Sequence, residues 1–129
     1  KAAAVSDYRP RQFIPYKVKK TEDVQTVELV RNPDILAELG QRKGKRVLVG
    51  FAAETEELLT NAQKKVQAKH LDMIVANEVG HAGSGFQSDA NKVLILHDDG
   101  RIEDLPLMSK QQLAHEILTR VAERLRGMD

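Results

Sequence analysis

Lysine is the residue type here whose placement could do chemistry. Lys65 and Lys69 stand four apart, so on a helix they share one face, and Lys17 opens the basic stretch Lys17-Val18-Lys19-Lys20. Ammonium groups gathered from separate segments could clamp a polyphosphate. Each alone is a solvated cation, and a pair near a helix C-terminus is already stabilised by the dipole there. A charge pair about 4 Å apart is worth roughly 4 kcal/mol at an effective dielectric near 20, before desolvation, so three such groups matter only if the fold converges them. Spacing leaves both readings open.

Other chemistries find less support. His70, His81, His97 and His115 show no metal-ligand spacing and read as surface or helix-end residues. Gly80-His81-Ala82-Gly83-Ser84-Gly85 opens no clear helix and lacks the lysine and hydroxyl tail of a phosphate loop, so it reads as a flexible loop. Asp98 and Asp99 are turn formers first. No serine sits in a nucleophile elbow and no dinucleotide fingerprint appears. With no cysteine there is no disulfide framework, thiolate metal site or cysteine nucleophile, a usage that fits a cytoplasmic protein.

These residues need a scaffold, and 129 residues suffice for one domain burying on the order of two-thirds of its unfolded surface. The net charge of +1 excludes the strongly basic balance of a nucleic-acid binder. No apolar run is long enough for a membrane span, and Lys1-Ala2-Ala3-Ala4-Val5 lacks a signal-peptide core. The scaffold centres on Arg46 to Thr55: Val47, Leu48 and Val49 predict a buried parallel strand, Gly50 a break, and Thr55 the cap of a helix running to about His70. Open α/β sheets bind ligands where strands end and helices begin, so Phe51 either faces that crevice or is core.

Before it, Ala2-Ala3-Ala4-Val5 reads as the end of a strand entering a site loop at Ser6-Asp7-Tyr8, as though the element began before Lys1. Two prolines between Arg9 and Pro15 exclude a helix and predict an extended excursion, residues 9–20, with Lys17 and Lys19 on one face. Phe13, Ile14 and Tyr16 leave it apolar bulk with no cover, which predicts a homodimer built partly on this segment. Val24 to Val30 alternates as a strand. Asn32-Pro33-Asp34 predicts a helix capped by Asn32, with Ile35, Leu36 and Leu39 inward, ended by Gly40. After the second helix come a strand from Met73 to Ala76, a hairpin of Lys92–Leu96 and Ile102–Leu107 around Asp98-Asp99-Gly100, and a last helix. Ser109 and Gln112 form that helix's capping box, and Leu113, Ile117, Leu118, Val121 and Leu125 its apolar stripe.

The ordered set Ala3-Ala4-Val5-Ser6-Asp7-Tyr8-Arg9-Pro10, Lys17-Val18-Lys19-Lys20, Asn32-Pro33-Asp34-Ile35-Leu36, Val49-Gly50-Phe51-Ala52-Ala53-Glu54-Thr55 and Asp72-Met73-Ile74-Val75-Ala76-Asn77 closely resembles phosphopantothenate-cysteine ligase. Phe86-Gln87-Ser88-Asp89-Ala90-Asn91 adds the Phe-x-Ser-Asp-x-Asn segment near the end of that domain. The resemblance spans essentially the whole chain and is specific through the joint order of its motifs. It corresponds to the C-terminal part of the synthetase domain in the bacterial coenzyme A enzyme often fused to a flavin-dependent decarboxylase.

The resemblance implies a Rossmann-like, ribokinase-like three-layer α/β sandwich with a mostly parallel sheet, a C-terminal β-hairpin and a protruding dimerisation flap at 9–20. It implies a CTP-dependent ligase in which the carboxylate of 4'-phosphopantothenate attacks the α-phosphate of CTP, releasing pyrophosphate. The amine of L-cysteine then displaces CMP from the acyl-cytidylate. Magnesium is implied as counter-ion to the phosphates, and FMN only where a decarboxylase is fused upstream. By similarity Lys17 is the catalytic lysine of the flap, and Ala3, Asp7, Lys17, Pro33, Asp34, Ile35, Leu36, Phe51, Lys65 and Lys69 border the nucleotide. The family's glycine-rich nucleotide loop and its acyl-cytidylate asparagine are absent, so residues 1–129 are expected to form one domain that is a fragment, inactive alone. A higher oligomer is implied only through a fused decarboxylase. The alternative reading is a non-catalytic nucleotide-binding or dimerisation module, and an ATP-using enzyme on the same fold stays open.

Overall fold

The computed structural model describes residues 5–19, 24–54, 58–78 and 89–128. The chain forms two compact units, Lys1–Ile35 and Leu36–Asp129. In the first, β1 (Tyr8–Pro10) pairs antiparallel with β2 (Leu29–Arg31). The strand expected over Val24 to Val30 is therefore shorter, and Lys17 and Lys19 lie in irregular backbone with no strand to align them. Pro10, Pro15 and the polar residues between them do exclude a helix, as expected. Phe13 is 88 % exposed, with Ile14, Tyr16 and Val18 also open to solvent.

The second unit carries the core. Its helices are α1 (Ile35–Gln41, which begins at the unit boundary), α2 (Leu58–Ala68) and α3 (Lys110–Arg126), and its strands are β3 (Val49–Glu54), β4 (Met73–Glu78), β5 (Ala90–His97) and β6 (Ile102–Ser109). The sheet order is β3-β4-β5-β6. Only β3 and β4 run parallel; β4 with β5 and β5 with β6 are antiparallel. The mostly parallel sheet expected for this chain is thus mixed among the described residues. A short turn at Asp98–Gly100 reverses the chain where a crossover helix would have kept it parallel.

Side chains alternate across this sheet and bury both faces. Ile74, Ala76 and Leu96 join Ala62 and Val66 of α2 and Leu71, with Leu36 of α1 packed against them. Met73, Val75, Val93, Ile95 and Leu105 join Leu113 of α3, with Ile117 and Val121 alongside. Helices on both faces make this unit a three-layer sandwich.

Two expectations about glycine change. Gly50 does not end a strand; it sits inside β3, where a Cβ would lie 2.7 Å from Leu71 Cδ1 and 3.4 Å from Leu36 Cδ2. Gly40 does not end α1 but is a buried member of it. The cap expected from Thr55 falls outside the described residues, as does the loop from Gly80 to Gly85.

The last helix forms as its sequence predicts. Ser109 accepts from the Gln112 backbone N–H, and Gln112 accepts from the Ser109 N–H in return. Leu113, Ile117 and Val121 face the core, but Leu118 and Leu125 are exposed. Arg120 and Arg124 occupy the inward positions in the second half of α3 instead, because carboxylates wait for them under the helix. Arg120 Nη2 lies 2.6 Å from Glu103 Oε2 on β6, and the same carboxylate meets His97 Nε2 at 2.6 Å. His97 is therefore a partly buried residue in hydrogen-bond contact with Glu103 rather than the surface histidine expected.

The Arg120 guanidinium, with help from His97, lowers the Glu103 carboxyl from 4.5 to about 2, against the opposing effect of burial. A depressed carboxylate contributes stability above its unfolded value and loses it as pH falls toward its folded value. Glu103 is three-tenths exposed, so screening leaves on the order of 2 kcal/mol of acid-labile stability. Urea titrations of wild type and Glu103→Gln from pH 5 down to pH 2 should show a stability gap that closes with falling pH. A constant gap would mean that the Glu103 proton is not linked to folding.

Candidate functional site

Within the first unit, Asn32 is the pivot. Its Nδ2 donates to Ser6 O at 2.6 Å, its Oδ1 accepts from Arg9 Nη1 at 2.9 Å, and its backbone N–H donates to Asp7 O at 2.8 Å. The amide expected to cap α1 is thus spent on the β1–β2 pair, and α1 begins only at Ile35. Arg9 Nη1 also donates to Arg31 O. The Tyr8 hydroxyl hydrogen-bonds the Arg31 guanidinium and, with Asp7 and Asp34 nearby, pushes its pKa further up. Asp7 and Asp34 thus lie near enough to favour the charged Arg31, and the exposed Pro33 lies next to Asn32. Sequence reasoning did not single out Arg9, Arg31 or Asn32 as members of this cluster, since each acts across more than twenty residues.

Lys17 is exposed, and no hydrogen bond or ion pair among the described residues engages its ammonium. Ala3 lies outside the described residues. Ile35 is exposed, whereas Leu36 is half-buried and packs into the core of the second unit.

In the second unit, β3 is the edge strand of the described sheet. Its alternate residues Gly50 and Ala52 face α2, while Val49 packs on the opposite side. Period-two alternation puts Phe51 on that opposite side, where α3 lies over β5 and β6. Its ring is 69 % exposed, so Phe51 is not core. It also lies in the first half of β3, short of the C-terminal strand ends where the sequence pattern placed a crevice.

Lys65 lies in the last turn of α2, and the Lys69 N–H donates to Lys65 O at 3.1 Å just beyond the helix end. Both are half-buried. The helix closes at His70, which takes φ 51°: the His70 N–H donates to Gln67 O and the Leu71 N–H to Val66 O. This is the double closure of a Schellman motif with a histidine at its left-handed position. Phe51 and the two lysines are therefore on opposite sides of the sheet. A ligand touching both would cross the open edge of β3, where backbone groups lack a partner strand among the described residues.

On the Phe51 side two further polar groups appear. Asn77 stands opposite Val93, at the next same-face position along β4 from Val75, the partner of Phe51. The Oδ1 atoms of Asn77 and Asn91 are buried with no hydrogen-bond partner among the described residues. Buried acceptors without donors are uncommon in folded proteins and mark places where a donor from elsewhere fits. Asn91 lies in the sequence segment singled out above, yet nothing in its spacing revealed an orphaned acceptor. Among the described residues no group of three His, Cys, Asp or Glu could hold a metal ion, and no helix is long and apolar enough to cross a membrane.

The second unit is thus an α/β domain, a mixed four-stranded sheet with helices on both faces. Its family follows from comparison with known proteins. The match to the DNA/pantothenate metabolism flavoprotein C-terminal domain covers residues 1–125, and the chain belongs to that family. It is 48 % identical over 122 residues to the coenzyme A biosynthesis bifunctional protein CoaBC of Bacillus subtilis, covering 95 % of this chain and 30 % of the relative. To CoaBC of Vibrio cholerae it is 42 % identical, covering 95 % of this chain and 31 % of the relative. The crystal structure of the C-terminal domain of a CoaBC protein superposes with a TM-score of 0.74 at 38 % identity, covering 97 % of this chain and 53 % of that one. The chain thus spans under a third of these curated relatives and about half of the solved domain.

Proposed function

We propose that this chain is part of a CTP-dependent phosphopantothenate-cysteine ligase acting in coenzyme A biosynthesis. The carboxylate of 4'-phosphopantothenate attacks the α-phosphorus of CTP, and the bond to the departing pyrophosphate breaks. The L-cysteine amine then attacks the acyl carbon of the acyl-cytidylate, CMP leaves and an amide remains. The observation that carries the reading is an exposed Phe51 ring on the uncovered edge of β3, in a chain 48 % identical to a coenzyme A biosynthesis protein.

On this reading the cytosine stacks on Phe51 and its edge meets the open backbone of β3, while the triphosphate passes around that edge toward Lys65 and Lys69. By resemblance to the family, Ala3, Asp7 and residues Pro33 to Leu36 are further candidates for contact with the nucleotide. Lys17 comes from the exposed segment 9–20, whose bare Phe13, Ile14 and Tyr16 are covered by a second copy in a homodimer. Magnesium would accompany the phosphates and offset part of their charge, since no group of three His, Cys, Asp or Glu among the described residues could hold it. FMN belongs to a decarboxylase fused upstream, where one exists, and a higher oligomer would come through that part. The enzyme works in the cytoplasm and binds neither nucleic acid nor membrane.

Calorimetric titration of CTP, UTP and ATP into the full-length protein tests the reading, together with pyrophosphate release in the presence of 4'-phosphopantothenate. CTP should bind at least tenfold tighter than ATP and alone support release. Equal affinities would leave the ATP-using alternative standing, and binding without release would favour the non-catalytic module.

A further inference from the structure

We infer that Gly40 is a positioning residue for the nucleotide: it is the bare surface against which the Lys69 backbone is set, and so it fixes where Lys65 and Lys69 present their ammonium groups. The inference rests on the reading that these lysines hold the triphosphate.

The contact is closer than any side chain permits. A Cβ on Gly40 would stand 2.0 Å from Lys69 O and 2.8 Å from Lys69 C. Both clashes are with backbone, so no rotamer change relieves them, and the two segments would have to part by about 1 Å to reach even the 3.0 Å floor for real Cβ contacts. Lys69 cannot absorb that shift locally. Its N–H is bonded to Lys65 O, and the residues that follow it are closed onto Gln67 and Val66 by the cap at His70. Leu71 and Val66, which anchor this closure, are both buried in the same core cluster. Displacement at Lys69 is thereby passed back along the last turn of α2 to Lys65.

Independent ties hold the two segments together just beyond this contact. Lys43, two residues past α1, reaches Asp72 Oδ1 with its Nζ at 2.8 Å, and Asp72 follows the α2 cap by two residues. The Asp72 N–H donates to Leu48 O at 3.0 Å, and the Leu48 N–H donates to Asp72 Oδ2 at 2.7 Å. The chain leaving α1 and the chain leaving α2 are bound to one another over a few residues, with Gly40 and Lys69 at the tightest point. A retreat of about 1 Å from a charge contact of about 4 Å weakens it by roughly a fifth, and the loss is felt at both lysines.

The test is a double-mutant cycle in the full-length protein, with CTP affinity measured by calorimetry at a temperature where every variant is folded. Gly40→Ala and Lys69→Gln should each weaken CTP about tenfold, and the double variant should lose clearly less than the product of the two, because the first acts in part through the second. A loss of packing alone would lower the melting temperature without producing that non-additivity. If Gly40→Ala does not fold, Lys43→Met loosens the same joint from its half-buried tie and is held to the same criterion. The inference is overturned if the folded variant binds CTP within twofold of wild type, or if its loss multiplies with that of Lys69→Gln. Should Lys69→Gln itself leave CTP affinity unchanged, the nucleotide reading of the lysines fails, a result distinct from failure of the joint.

Discussion

Asp72→Ala is expected to cost about 3 kcal/mol of folding stability, the lower end of what removing one partner from a buried ion pair does. The carboxylate is 2 % exposed and accepts from three directions: Lys43 Nζ at 2.8 Å, Arg124 Nε at 3.2 Å and the Leu48 N–H at 2.7 Å. Arg124 also pairs with Asp98, and it and Lys43 are partly exposed. Both cations can thus recover some hydration, which is why the upper end of the range is not expected. The Leu48 N–H has no such recourse and is left without its acceptor. For a chain of this length the melting temperature should fall by roughly 12 °C. Asp72→Asn, which keeps an acceptor for Leu48 but not the charge, should lose about half as much. Thermal and urea denaturation at pH 7 check both; a loss under 1 kcal/mol for Asp72→Ala would show that the carboxylate gains little more than it gave up in desolvation.

The contrast between Asp72 and Ser109 shows what the amino-acid order makes legible. The capping box of α3 closes over three residues, so its chemistry is visible in a short window. The apolar run of β4 is equally plain, because a strand buried on both faces needs no partner to be recognised. The tie of Lys43, Asp72 and Arg124 is made of contacts between residues up to 52 apart and has no local signature. Asn32 misleads for the same reason: its sequence neighbours suit a helix cap, but Ser6 and Arg9 are better placed to use the amide. Gly50 reads as a break because glycine commonly is one, whereas here it admits Leu71 and Leu36 against the strand. That single misreading also hid the side on which Phe51 lies, since the alternation along β3 depends on the strand running through the glycine. Lys65 and Lys69 do share a turn as their spacing predicts, but which neighbours meet the end of α2 was not in the spacing.

Lys17→Gln in the full-length protein is expected to lower kcat for ligation by 10²- to 10³-fold while changing CTP affinity by less than tenfold. The substitution keeps length and hydrogen-bonding capacity but removes the charge, so it isolates the electrostatic role. In the proposed first step negative charge grows on the departing pyrophosphate, and a fixed cation aimed there stabilises the transition state more than the bound triphosphate, which is the condition for a kcat effect. Lys17 suits that task because its ammonium has no hydrogen bond or ion pair among the described residues and its segment is exposed. A lysine already neutralised by a carboxylate would have to break that pair first. Lys65 and Lys69 stand on a helix end and would hold the triphosphate before and during reaction alike, so their loss should appear mainly in affinity. Single-turnover pyrophosphate release, compared with CTP titration of the same variants, separates the two patterns. If Lys17→Gln loses affinity and rate in equal proportion, the flap lysine is a ground-state contact. If it loses less than threefold in both, it has no part in the reaction.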